Sequence, residues 1–109
     1  MAYKESVYMV FKMKIKETQQ NIKCRRVLVA CGCWFTSSGR TIPKTIKYED
    51  EDGMIHTIQN IHVLHSEKRR NAGISAMVYD CLMEIEGQEY ALQLYYFQEE
   101  GKWELQLPE

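Results

Sequence analysis

The chain has 109 residues, 45% of them apolar, and a formal net charge of −1. A single domain of this size buries about 65% of its unfolded surface, and two Pro and six Gly argue against long disorder. No apolar run approaches the ~18 residues of a membrane helix, which excludes a helical membrane protein.

The small net charge hides a division. Residues 1–48 carry ten Lys or Arg and two Glu, a formal +8, whereas residues 49–109 carry four and thirteen acids, a formal −9. Such a division concerns partners: the basic half meets something anionic, or the halves meet each other within or between chains. The opening Met1-Ala2-Tyr3-Lys4-Glu5-Ser6, with Lys12, Lys14 and Lys16 breaking the apolar stretch behind it, does not read as a signal peptide. Four Cys without a CxxC pair fit that reading, so free thiols and a cytoplasmic location are expected.

Alternation of apolar and polar residues runs through most of the chain and predicts strands. Val7, Met9, Phe11, Met13 and Ile15 form one row, with Lys12, Lys14 and Lys16 on the opposite side. Glu17–Asn21 reads as a polar connection, so residues 1–21 form an N-terminal strand and tether within one domain spanning 1–109. Ile22–Phe35 places Val27, Val29, Cys31 and Cys33 on one face, and Gly32 predicts a bulge or bend. A turn at Thr36–Arg40 precedes a short strand that starts at Pro43 and runs to Tyr48.

Glu49–Gly53 ends in Asp-Gly and predicts a hairpin. Its returning strand runs from Met54 to Leu64, with a phase shift that predicts a bulge at Gln59-Asn60. Ser66–Gly73 reads as a charged loop with Lys68-Arg69-Arg70 at its tip. Strands at Met77–Ile85, Tyr90–Phe97 and Lys102–Leu107 follow, and the Tyr90 strand is apolar on both faces, as a central strand should be. The sum is an all-β chain of about seven strands in a meander, forming a bent, mostly antiparallel sheet or small open barrel. Tyr79, Cys81, Leu92, Leu94, Trp103 and Leu105 are its expected core.

Short motifs carry a resemblance. Gly39-Arg40 with Ile42-Pro43, an acidic turn ending in Gly53, and Ile61-His62-Val63-Leu64 come first. Ala72-Gly73, Tyr79-Asp80-Cys81, Leu94-Tyr95-Tyr96 and Lys102-Trp103-Glu104-Leu105 complete the outline. Residues 39–107 thereby resemble a group of small uncharacterised β proteins and domains from Gram-positive bacteria. The resemblance implies a compact β domain and transfers no catalytic residue.

Chemical motifs are sparse. Cys31-Gly32-Cys33 with His56, His62 or His65 could be drawn as a zinc site, but CxC lacks paired-knuckle spacing. Cys81 follows Asp80, which would raise rather than lower a thiol pKa. Asp50, Asp52 and Gly53 lack the spaced ligands of a calcium loop. No catalytic residue, cofactor or metal is therefore assigned.

The expected function is non-enzymatic: binding or assembly through a sheet face or edge. Val7, Met9, Phe11, Met13 and Ile15 are the candidate contact row, and a homodimer joined through them is the expected partner state. The alternative is nucleic-acid binding by Lys12, Lys14, Lys16, Lys23, Arg25, Arg26, Arg40, Lys44 and Lys47. A pI of about 6.3 for the whole chain counts against that alternative. A thiol- or metal-dependent enzyme is the third reading.

Overall fold

The computed structural model describes residues 24–108. The apolar row Val7–Ile15, with Lys12, Lys14, Lys16 and Lys23, lies outside the described residues. Seven strands follow one another: β1 (Cys24–Phe35), β2 (Thr41–Glu49), β3 (Ile55–Ile58), β4 (His62–Asn71), β5 (Ile74–Ile85), β6 (Gln88–Phe97) and β7 (Lys102–Pro108). They form one antiparallel sheet of order β3-β2-β1-β7-β6-β5-β4, bent and not closed. The fold class is all-β, as the alternation predicts.

The order resolves into two meanders, β1-β2-β3 and β4-β5-β6-β7, joined where β1 pairs with β7. β1 serves both. Cys24–Val29 pairs with β7, and Ala30–Phe35 pairs with β2. The strand thus passes from one lobe to the other at its middle, which is how curled sheets make corners. Residues 59–61 make the second corner, carrying the chain from the edge strand β3 to the edge strand β4.

The apolar rows line the inside of the curl. Ile46 and Ile58 from the three-strand lobe join one core cluster with Tyr79, Cys81, Met83, Leu92, Leu94 and Leu105. All six expected core residues are buried, Trp103 being the most exposed at 8%. β6 lies between β5 and β7 and is buried on both faces, Leu94 within and Ala91 and Tyr95 without. On the outside, buried Asp80 accepts a hydrogen bond from Gln93 Nε2 at 2.9 Å, and Gln93 Oε1 accepts one from the Tyr95 hydroxyl at 2.9 Å. A buried carboxylate needs such donors.

Three expectations change, and the bulge expected at Gly32 is present. Met54–Leu64 is not one bulged strand: β3 ends at Ile58, and Asn60 adopts a left-handed φ of 57° where the chain changes lobes. Ser66–Gly73 is not a loop, because His62–Asn71 is strand and the turn shrinks to Ala72-Gly73, with φ of 53° and 81°. Pairing with β5 outweighs the weak strand preference of Glu, Lys and Arg, and charge on an edge strand discourages pairing with other chains. The bulge near Gly32 places its extra residue, Lys44, on β2, since Gly32 and Cys33 pair with Thr45 and Pro43. Pro43 is buried inside β2 rather than at its mouth.

Candidate functional site

β3 pairs only with Ile46–Glu49 of β2. Among the described residues, the Thr41–Thr45 edge facing away from β1 therefore has no strand partner. β4 is the other terminal strand of the sheet and, among the described residues, pairs only with β5. The two edges stand on either side of a cleft of about 700 Å³, within the range of pockets that hold small ligands or side chains. Met77, Tyr79 and Tyr96 form its floor, Ile42 and Pro43 one wall, Val63 and Leu64 the other.

Both walls are bent by an extra residue. Lys44 is the bulged residue of β2, and Leu64 that of β4, where Val63 pairs with Cys81 and His65 with Asp80. A bulge kinks its strand and strengthens its twist, so the edges diverge where the floor is aromatic. That floor is braced from below. Trp103 stacks against Tyr96 at 4.4 Å and against Tyr79 at 5.9 Å between ring centroids. Tyr79 hydrogen-bonds Thr41, and burial pushes its hydroxyl pKa up, so it stays neutral. At the mouth, the Thr36–Arg40 turn is tied by Thr36 N–H to Arg40 C=O at 2.8 Å and by Arg40 N–H to Thr36 Oγ1 at 3.0 Å. Among the described residues, Arg40 is the one Lys, Arg, Asp or Glu on the lining.

The basic candidates among the described residues do not gather into one face. Arg25 reaches Glu51 at 3.4 Å, and Arg26 reaches Glu104 at 3.6 Å while lying 4.1 Å from the Tyr95 ring centroid. Lys44 lies 5.1 Å over Trp34, Lys47 is exposed on β2, and Arg40 is at the cleft mouth. Lys68, Arg69 and Arg70 are on β4, with Arg69 at 2.7 Å from Glu67, whose carboxyl is held low chiefly by that hydrogen bond.

The thiols are suited to packing. Cys31, Cys33 and Cys81 are free. Burial pushes Cys31 up to about 12, with Cys33 adding to the effect, and raises Cys33 as well. Burial raises Cys81 further, and Asp80 contributes. These groups are thiols at neutral pH, not thiolate nucleophiles. Among the described residues no three His, Cys, Asp or Glu converge in a way that could hold a metal.

His56 instead closes the opposite end of the curl. Its Nε2 lies 2.7 Å from Asp50 Oδ2, its Nδ1 3.8 Å from Glu86, and its ring stacks on Tyr48 at 5.0 Å. Asp50 Oδ1 also accepts from the backbone N–H of Asp52 and Met54, each at 2.9 Å. The acids of Glu49–Gly53 thus shape a hairpin, as expected of a turn rather than a calcium loop.

No helix among the described residues is long and apolar enough to cross a membrane. No family model, curated protein or solved structure matches the chain. Reading the sequence missed the cleft, since Ile42, Val63 and Tyr96 look like ordinary strand residues. Its available signals were Pro43 within a strand and the apolar phase shift after Ile58.

Proposed function

We propose that the chain is a non-enzymatic binding module that takes an extended apolar segment of a protein partner into this cleft. The observation that carries the reading is the combination of a braced aromatic floor with two strand edges that pair with no further strand among the described residues. A strand edge offers main-chain hydrogen bonds, and the floor accepts every second side chain, which together are the requirements of strand addition. Arg40 at the mouth favours a segment that is neutral or acidic at one end. The raised thiol pKa values weigh against the enzyme reading.

The test is a displayed library of random peptides, panned on the full chain. Selected peptides should alternate apolar and polar residues and shift the amide resonances of residues 40–45 and 61–66 before others. Val63→Asp sets a charge on a wall that is 36% exposed. It should weaken binding about tenfold or more while leaving the melting curve unchanged. Failure to select any peptide, or equal binding by Val63→Asp, would overturn the reading.

One observation favours the nucleic-acid alternative. Trp34 is 67% exposed beneath Lys44, and its neighbour Phe35 is 70% exposed. An aromatic platform beside a cation suits base stacking. Oligonucleotide binding that falls steeply with salt would support it, and no binding at low salt would remove it.

A further inference from the structure

Resting on that reading, we infer that the cleft selects an acidic partner: an extended segment whose apolar residues alternate with Asp or Glu, its carboxylates meeting Arg40 and Lys44 on the β2 side. The first argument is that these two cations have no carboxylate. Arg25, Arg26, Arg69 and Lys102 each have one near, at 3.4, 3.6, 2.7 and 2.9 Å. Among the described residues no Asp or Glu does this for Arg40, just before β2, or for Lys44 within it, and both are exposed. Lys44 Nζ lies 5.1 Å over the Trp34 ring, a weak contact at an exposed site.

The second argument is the balance of charge around the cleft. Residues 24–48 carry Arg25, Arg26, Arg40, Lys44 and Lys47 and no Asp or Glu. Among the described residues, no acid is on the lining. Of the acids that adjoin lining residues, Glu67 is held by Arg69 at 2.7 Å and Glu100 by Lys102 at 2.9 Å, while Glu99 is exposed on the turn between β6 and β7. The β2 wall is therefore the cationic side of the cleft. Opposite charge on a partner is drawn to it, and like charge is repelled.

The third argument is the β2 edge itself. Among the described residues, Thr41–Thr45 pairs on the β1 side only. Pro43 has no N–H to donate to an added strand. Main-chain pairing at this wall is thus incomplete, and side chains must help to fix the register. Cross-strand neighbours on one face stand about 4.5–5.5 Å apart, which long Arg and Lys side chains bridge readily to a carboxylate. Arg40 and Lys44 lie about 13 Å apart along the strand at ~3.3 Å per residue, a little less across the bulge. The matching acids are therefore about four residues apart, and the apolar residues between them turn to the floor of Met77, Tyr79 and Tyr96.

Panning a displayed library of random peptides on the full chain at low salt tests this. The selected apolar peptides should carry a net negative charge, with acids about four residues apart. The affinity of such a peptide should fall at least about threefold between ~0.05 and ~0.5 M salt. Arg40→Glu, and separately Lys44→Glu, should weaken it about tenfold while the circular dichroism spectrum stays that of the wild type. The same peptide with Lys in place of the facing acid should regain binding to the variant, which a merely disturbed wall would not give. Peptides selected without an acidic excess, or bound equally by the wild type and both variants, would overturn the inference and leave the cleft reading intact. Failure to select any peptide would remove both. Oligonucleotide binding that shifts the amides of residues 40–45 and excludes the acidic peptide would assign these cations to phosphate and overturn the inference as well.

Discussion

The two ends of the curled sheet meet the same problem in opposite ways. At each end a strand leaves its neighbour: β1 parts from β2 before Ala30, and β2 parts from β3 on the Thr41 side of Ile46. At the first end the gap is bridged by polar groups. His56 stands between Asp50 of one lobe and Glu86 of the other, and Arg25 reaches Glu51. At the second end the walls are apolar, the floor is aromatic, and nothing among the described residues bridges them. A parted seam thus becomes either a polar clasp or an apolar receptor, depending on whether the side chains beside it can satisfy each other.

The comparison can be tested first where both ends should fail together. Leu94 is fully buried between the lobes. Leu94→Ala should cost roughly 2–5 kcal/mol in denaturant melts and weaken both ends alike. A loss below about 1 kcal/mol would mean that the lobes do not share one core.

The clasp should respond to acid and the cleft should not. The hydrogen bond from His56, aided by the Met54 and Asp52 amides, holds the Asp50 carboxyl below its ordinary value of 3.8. The unfolded chain therefore takes up a proton at this position before the folded chain does. The contribution is complete above the ordinary value and is lost as pH falls through the lower, folded one. Asp50→Asn should lower stability at pH 6, with the difference from wild type vanishing in strong acid. A difference that persists there would separate Asp50 from the clasp. Val63→Asp, at the other end, should not flatten the acid limb in this way.

Thiol reactivity grades the interior between the ends. Of Cys31, Cys33 and Cys81, an alkylating reagent at pH 8 should modify Cys33 first, Cys31 more slowly, and Cys81 only on unfolding. The order follows from burial, which takes Cys31 to about 12 and raises Cys81 further. Rapid native modification of Cys81 would show that the cleft end opens far more than its packing implies.

The smallest effect is expected outside both seams. Lys44→Ala removes the cation over Trp34, an exposed contact that contributes about 0.5–1 kcal/mol at most. A larger loss would implicate the bulge at Lys44 in holding the cleft wall. Unchanged stability with weaker oligonucleotide binding would favour the nucleic-acid alternative.

Alternation determined most of the strand positions, the inward rows and the core. Val27 to Cys33, Tyr79 to Met83, and Leu92 to Leu94 each show which side faces in, because side chains in a strand alternate with period two. The Asp-Gly hairpin and the central placing of the Tyr90 strand were equally legible. Tertiary structure alone decided which strands are neighbours. Period two is blind to the partner, so nothing in Cys24–Phe35 announces that its halves serve β7 and β2. The same blindness hid the charged edge strand at Ser66–Asn71, which pairing with β5 keeps extended against its composition. It also hid the cleft. A gap between strands is a property of bulges at Lys44 and Leu64 and of edges that find no partner among the described residues. Those depend on residues distant in the chain, which local sequence does not encode.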